Sequence, residues 1–330
     1  KNPAPNDRCA MVGILSYNIH SGVGTDGAYD LERVSGVIRR SDADIACLQE
    51  VEVNTKLKRA RKWSAVHADD QPQVIAKASG LANCAFSAKL KASFMEAKCC
   101  GGEVLVTSPD ASYGLATLTR FPILDTREMM FQRPSEEDQG DLLHMDRQVQ
   151  PRGALAVLVD LSSEDARPMW VVNTHFSHRM ASEEQRRQAL EVLHWIEELR
   201  SSELERWDEN RPGLGRPTFL LAGDFNSSFY MPCSGYHVIA ADERWRDLWK
   251  EAEAPCCCQA SFPSWCGGLG LRIDHLFALR VEGEQLPMCE LARVVRRTPA
   301  DEMASDHCAV FVQMDFVEDP DHQENLLLIQ

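Results

Sequence analysis

Eight polar residues sit where apolar runs end: Asn18, Glu50, His175, Asp224, Asn226, Asp274 and His307, with Asp306 beside the last. A single Asp or Asn in such a place is ordinarily a turn or cap residue. Eight of them ask for a shared partner, because charge taken out of water is costly without one. The simplest shared partner is a divalent cation with an anionic ligand. Oxygen donors dominate the set, through Glu50, Asp224, Asp306 and the carboxamides of Asn18 and Asn226. Hard oxygen ligands suit Mg2+, Ca2+ or Mn2+ better than Zn2+. His175 and His307 suit proton transfer or phosphate contact, since imidazole titrates near neutrality. A competing reading makes Asp274, Asp306 and His307 a purely structural hydrogen-bond network at strand ends.

These residues need strands to carry them. The densest stretch is Thr218-Phe-Leu-Leu-Ala-Gly-Asp-Phe-Asn226. Its apolar run suits a buried strand. Gly223 permits a bend or a close backbone approach. If the strand persists, Asp224 and Asn226 point to one side. The opening of the chain reads as β-α-β: a strand over 11–18, a helix capped by Asp30 and running through Arg40, and a strand over 44–50 that ends on Glu50. A helix over 72–81 and strands over 84–90, 113–119, 123–131, 152–160 and 169–175 follow. A long helix spans 182–200, with Ser182 and Gln185 in a capping-box pattern and Leu190, Leu193 and Ile196 as its apolar stripe, with Val192 and Leu199 beside it. Residues 205–217 read as a polar connector. Two short helices are expected over 232–241 and 245–252, and strands over 272–278, 289–297 and 308–314. A coarse likeness between 12–50 and 169–226 suggests two similar halves of one domain, spanning 12–316, between a flexible segment (1–11) and an acidic, then apolar tail (317–330). Residues 133–150 are polar and acidic and read as a mobile surface loop.

Composition narrows the partners. The 330 residues carry a net charge of -15, which disfavours broad nucleic-acid binding. A local basic groove is compatible with it. The basic run Lys56 to Trp63 reads as a solvated face, or as the rim of an anionic-substrate site. No apolar run approaches the ~20 residues of a membrane span. The chain has no signal-type apolar region at its start, and it begins without Met. None of the 12 cysteines forms a C-x-x-C pair with zinc spacing, so reduced cytosolic thiols are expected. The sequence does not indicate an oligomeric state.

Six motifs carry a resemblance. Tyr17-Asn-Ile-His20, Leu48-Gln-Glu-Val51, Asn173-Thr-His175, Gly223-Asp-Phe-Asn226, Arg272-Ile-Asp274 and Ser305-Asp-His307 occur in the order of the endonuclease/exonuclease/phosphatase superfamily. Together they span nearly the whole chain, and the small bacterial-type members are the most similar. The resemblance implies a DNase I-like α/β fold, a four-layer sandwich of two packed mixed β-sheets flanked by helices. It also implies roles. Glu50 resembles the principal metal carboxylate, with Asn18 and Asp306 in support, for Mg2+ or Mn2+. Asp224 resembles the residue that orients or deprotonates water, and Asn226 the amide that holds a phosphate oxygen. His307, oriented by Asp274, resembles the phosphate-contacting histidine, and His175 the second histidine. His178 completes an Asn-Thr-His-x-x-His pattern, and Arg152 matches an Arg-Gly-Ala strand start that either faces substrate or lies on the surface. Leu115 stands where an Asn is common. Trp265 either rims the pocket or packs within its loop.

The expected activity is metal-dependent hydrolysis of a phosphoester. A small-molecule, lipid or headgroup phosphodiester is preferred on charge. A DNA or RNA nuclease of the same superfamily is the alternative. A binding protein that kept the fold and lost catalysis is a third reading, opposed by the intact set Glu50, Asp224, Asn226, Asp274 and His307.

Overall fold

Apolar residues that alternate between two buried faces set the architecture. In the first strand, Val12 and Ile14 face one buried layer while Leu15 and Tyr17 face another. The strand over 218–224 behaves alike, with Leu220 and Ala222 on one side and Phe219 and Leu221 on the other. Strands buried on both faces read as unbroken apolar runs, which is why the sequence shows little alternation there. The computed structural model describes residues 11–55, 67–91, 110–132, 151–161, 167–210, 216–254, 259–266, 270–281, 287–295 and 303–316. The runs 56–63 and 133–150, the terminal segments 1–10 and 317–330, and the cysteine clusters at 99–100 and 256–258 lie outside them.

The twelve strands are β1 (Met11–Asn18), β2 (Ile45–Val53), β3 (Asn83–Lys91), β4 (Ser112–Thr119), β5 (Ile123–Met130), β6 (Gly153–Val159), β7 (Met169–His175), β8 (Thr218–Asp224), β9 (Trp245–Asp247), β10 (Asp274–Leu279), β11 (Met288–Val294) and β12 (Val310–Asp315). They form two six-stranded sheets, in the orders β11-β12-β1-β2-β4-β3 and β5-β6-β7-β8-β10-β9. Each sheet has one parallel pair at its centre, β1/β2 or β7/β8, and antiparallel pairs elsewhere. The likeness of the two halves is thus a likeness of two sheets, each built around a β-α-β crossover.

The inner faces of both sheets share one apolar cluster, which includes Ile14, Leu155, Val171, Leu220 and Val310. Outside the first sheet lie α1 (Leu31–Ser41) and α2 (Gln71–Ser79); outside the second lies α3 (Glu183–Asn210). Two shorter helices, α4 (Gly235–Ala240) and α5 (Leu248–Glu251), follow β8 and β9. The observed order of layers is helix, sheet, sheet, helix. Asp30 caps α1 by accepting from the backbone N–H groups of Glu32 and Arg33, a contact worth about 1 kcal/mol.

Four expectations need correction. The long helix does not stop near Arg200 but runs to Asn210, so the polar stretch after Glu205 is helical at its start. Ile196, Val192 and Leu199 are buried as expected, but Ala189 joins them in place of Leu190, which is 57% exposed. Only half of the capping box forms: Ser182 Oγ accepts from Gln185 N–H, while the Gln185 side chain reaches elsewhere. Trp245 to Asp247 is an edge strand rather than helix, because it pairs with β10 in the register Phe277 to Asp247.

A buried amide joins the sheets. Asn173 Nδ2 donates to the carbonyls of Leu48 (3.0 Å) and Ala116 (2.9 Å), and its Oδ1 accepts from Gln49 Nε2 (2.8 Å). Removing it strands polar groups that water cannot reach, at about 1–3 kcal/mol each. Asn173→Ala should therefore lower the urea midpoint by a loss of at least ~2 kcal/mol, whereas Leu190→Ala on the exposed side of α3 should stay within about 0.5 kcal/mol of wild type. Equal effects would contradict both assignments.

Candidate active site

Register assembles the site before any side chain is considered. Gly153 pairs with His175, His175 with Asp224, and Asp224 with Asp274, across β6, β7, β8 and β10. Arg152 immediately precedes this row. From the other sheet, Asn18 ends β1 opposite Gln49 on β2, one residue before Glu50. Asp306 and His307 lie just ahead of β12, whose neighbour is β1. Strand ends from both sheets thus converge on one corner.

The backbone at this corner is specialised. Gly223 lies so close to β7 that a Cβ would meet the Thr174 carbonyl oxygen at 2.0 Å. Glu50 does not end its strand. It sits at an irregularity between Leu48 and Val51 with φ 58°, and β2 continues to Val53. A bulge re-aims a side chain, and a non-glycine residue in the left-handed region costs of order 1–3 kcal/mol. Asn226 also has positive φ (48°), so the strand does not persist past Asp224 and the two side chains do not share a face. Instead Asn226 N–H donates to Asp224 Oδ1 (2.8 Å), and its Nδ2 donates to the Phe176 carbonyl (3.1 Å).

Asp224 Oδ2 is the meeting point. Asn18 Nδ2 donates to it at 2.9 Å, His175 Nε2 lies at 3.3 Å and His307 Nε2 at 3.7 Å. Burial pushes the Asp224 carboxyl up, with neighbouring Asp274 adding to it; His307 and the Asn18 and Asn226 donors pull the other way, and it settles at about 7. His307 Nδ1 pairs with Asp274 Oδ2 at 2.9 Å. Burial works against its charge, but Asp274, Asp224 and Asp306 overcome that and drive it up to about 10. Asp274 is fully buried, its N–H donates to Ser261 Oγ (3.2 Å), and its Oδ1 has no hydrogen bond among the described residues.

The second histidine is set differently. Arg152 is buried rather than on the surface, and its Nη1 meets His175 Nδ1 within hydrogen-bond distance. Guanidinium can only donate. Nδ1 therefore accepts, and the His175 proton sits on Nε2, facing Asp224. Burial first, then the positive charge of Arg152 and His307, hold the His175 pKa well below its ordinary value. This imidazole is neutral at pH 7.

Glu50 is half-buried. Burial would raise its pKa, but His20, Arg152 and His307, with a hydrogen bond from Asn18, hold it below the usual range. Asp306 approaches His20 at 3.9 Å. His178 is exposed, and its charge acts on His175. Trp265 is 60% exposed rather than packed away, edge-on to Phe262, whose ring lies 4.9 Å from that of His307.

Several contributors lie outside the residues singled out for chemistry. His20 lies 3.9 Å from Asp306 and its charge acts on Glu50, and its place in Tyr17-Asn-Ile-His20 is the available signal. Ser305 Oγ donates to the Asn18 carbonyl (2.7 Å), and Ser261 Oγ accepts from the backbone at 273 and 274. Gln185 of α3 donates to the Asn226 carbonyl (2.9 Å), a long-range contact no local pattern could reveal. His275 donates to the Ser227 carbonyl (2.8 Å) while its Nδ1 accepts from Arg272.

Two groupings could hold a cation. Asp224, Asp274 and His307 offer ligand atoms within 4.8 Å of one another. In this trio His307 Nδ1 is already paired with Asp274 Oδ2, which leaves Nε2 as its open ring nitrogen. Glu50, Asp306 and Asn18 Oδ1 are hard oxygen donors beside it, and their chemistry fits Mg2+ or Mn2+.

Comparison with known proteins bears on the fold and the family. Among solved structures, an endonuclease/exonuclease/phosphatase from Beutenbergia cavernae is 23% identical, with 94% of this chain and 72% of that chain covered at a TM-score of 0.63. A mannosyl-6-phosphatase from Bacteroides thetaiotaomicron is 15% identical over 92% of this chain and all of its own, at 0.60. A humanized TDP2 from D. rerio is 13% identical over 93% and 99%, at 0.55. These likenesses concern the fold. The comparison with curated proteins returned no significant match. The family model for the Endonuclease/Exonuclease/phosphatase family matches residues 15–307, nearly all of the described fold and every residue of the corner, and the chain belongs to that family.

Proposed function

We propose that the protein is a divalent-metal-dependent phosphodiesterase that hydrolyses a small-molecule, lipid or headgroup phosphoester by in-line attack of water. The observation that carries this reading is one buried carboxylate oxygen, Asp224 Oδ2, approached by Asn18, His175 and His307 together. A carboxyl pushed up to about 7 is a base matched to neutral pH, so Asp224 takes the proton of the attacking water. His307, kept protonated and held by Asp274, offers Nε2–H and positive charge to a phosphoryl oxygen. Neutral His175 donates through Nε2 without giving up its proton. Asn226 contributes its remaining amide hydrogen, and Arg152 adds fixed positive charge. Glu50, Asn18 and Asp306 would hold the cation, which when bound polarises a phosphoryl oxygen and acidifies water.

Two observations favour a small or lipid phosphoester over nucleic acid. The net charge is -15. Phe229 and Tyr230, three and four residues beyond Asn226, are both exposed, which suits an apolar leaving group. The nuclease reading is separated by substrate. With Mg2+ or Mn2+ the purified protein should hydrolyse a generic aryl phosphodiester, and EDTA should abolish this. Asp224→Asn should lower kcat/KM by about 10²–10⁴, and His307→Gln by about 10²–10³, with circular dichroism unchanged. Wild-type protein inert toward DNA, RNA, phospholipids, inositol phosphates and generic esters would leave the binding-protein reading in its place.

Two pH dependences follow. Asp224 must be deprotonated and His307 protonated, so kcat/KM should rise through about 7 and fall near 10. Asp274→Asn should pull the alkaline limb toward neutrality, and an unmoved limb would remove His307 from the step. In stability, both groups have raised folded-state pKa values, so the folded protein binds more protons than the unfolded chain over this range. The His307 contribution is complete below its ordinary 6.5 and is lost as pH rises through about 10. Metal-free wild type should therefore be more stable to urea at pH 6 than at pH 10, and Asp274→Asn should flatten that slope.

A further inference from the structure

We propose that Ser21, Glu52 and Gln71 form a buried clamp that positions His20 and Glu50 on the cation side of the corner. The clamp is a closed ring of hydrogen bonds between two backbone segments. Ser21 Oγ donates to Glu52 Oε1 (3.0 Å). Gln71, the first residue of α2, bridges the same two residues through their main chains. Its Nε2 donates to the Ser21 carbonyl (2.8 Å), and its Oε1 accepts from the Glu52 N–H (2.7 Å). His67 holds the other carboxylate oxygen. Its Nδ1 accepts from the Asp69 N–H (3.2 Å), so its proton sits on Nε2 and is directed to Glu52 Oε2 at 3.1 Å. The Tyr29 ring stacks on this imidazole, with centroids 4.7 Å apart. Ser21, Glu52, Gln71 and His67 are all buried.

Backbone strain carries the assignment. Past the ends of the paired β1 and β2 residues, the Ile19 N–H still donates to the Gln49 carbonyl (3.1 Å). The clamp then joins the same two segments at Ser21 and Glu52. Within the stretch that these two pins bracket, His20, Ser21 and Glu50 have φ of 47°, 55° and 58°. Residues other than glycine hold such values only where their surroundings over-determine them. Here the ladder over-determines them from one side and the clamp from the other. The effect reaches the corner through the main chain. His20 Nδ1 donates to the Val23 carbonyl (2.9 Å), which leaves Nε2 facing Asp306 Oδ2 at 3.9 Å. Glu50 stands at the irregularity of β2, two residues before Glu52. Apolar side chains at 21, 52 and 71 could fill the same space without burying a carboxylate. What the polar ring adds is a fixed path for two main-chain segments, and metal ligands depend on outer groups that fix their direction. The cation in this statement rests on the hydrolase reading; the hold on the backbone does not.

The test reads metal binding without turnover. Mn2+ is titrated into protein stripped with EDTA and dialysed, and the free ion is followed by its electron paramagnetic resonance signal. Ser21→Ala removes the hydroxyl donor. Gln71→Met keeps the volume and removes both bridging bonds. Each should weaken Mn2+ binding by about 10–100-fold. Ile75→Val, a buried truncation in α2 that leaves the clamp intact, should lower the urea midpoint and keep wild-type affinity. Hydrogen exchange of the metal-free protein gives a second reading. In Ser21→Ala the amides of 20–23 and 50–52 should gain at least about tenfold in rate over those of β7 and β8, the mark of a local opening. If Gln71→Met does not fold, Ser21→Ala decides the matter alone. Wild-type Mn2+ affinity in Ser21→Ala, an equal loss in Ile75→Val, or an unchanged exchange pattern overturns the proposal. A wild type that binds no Mn2+, with the local gain in exchange still present in Ser21→Ala, would uphold the clamp's hold on the backbone while removing the metal-dependent hydrolase reading.

Discussion

Placing a carboxylate where water cannot reach it is the constraint on which this corner depends. Asp224 is buried, and each of its oxygens must be satisfied by protein. Oδ1 takes the Asn226 N–H from its own chain reversal; Oδ2 takes Asn18 from the opposite sheet and faces His175 and His307. One oxygen therefore links the ends of two sheets whose shared interior is largely apolar. The surrounding polar contacts serve to keep those donors in place. Ser305 ties the segment before β12 to Asn18, Ser261 fixes the start of β10, and Gln185 brings α3 to the Asn226 carbonyl. Asn173 and Gln49 repeat the device deeper in the sandwich, joining the sheets by amides where neither sheet offers a charge.

The two histidines show how partner choice sets chemistry. Both are buried beside the same carboxylate. His307 has Asp274 on Nδ1, and this second negative charge overcomes the cost of burying an imidazolium. His175 has Arg152 on Nδ1, so burial and positive neighbours act together and keep it neutral. The corner thus presents one cationic donor and one neutral donor of fixed tautomer. Exchanging the Nδ1 partners would exchange the charges with no change in either ring.

Strand cores and motif order were readable because apolar runs and their terminal polar residues are local patterns. Asp30 and the β-α-β openings belong to that class, as do the strand-end places of His175, Asp224 and Asp274. What escaped was decided by distant packing. Glu50 was read as a strand terminus, since nothing local announces that β2 resumes after a bulge. Asn226 was expected beside Asp224 because period-two logic holds only while the strand lasts. Leu190 fits a helical stripe in sequence, but the face of α3 that meets the sheet passes through Ala189 and Val192. Trp245 to Asp247 is strand through its pairing with β10, a contact some thirty residues away.

Net charge and local field separate in this fold. The chain is acidic overall, yet His307, Arg152 and Lys89 are cationic groups held with little solvent around them. Solvated surface charges are screened within about 8–10 Å at physiological salt. Buried charges near one another are screened far less, because the intervening medium is protein. An incoming phosphoester therefore meets a repulsive but screened surface and then a short-range positive corner.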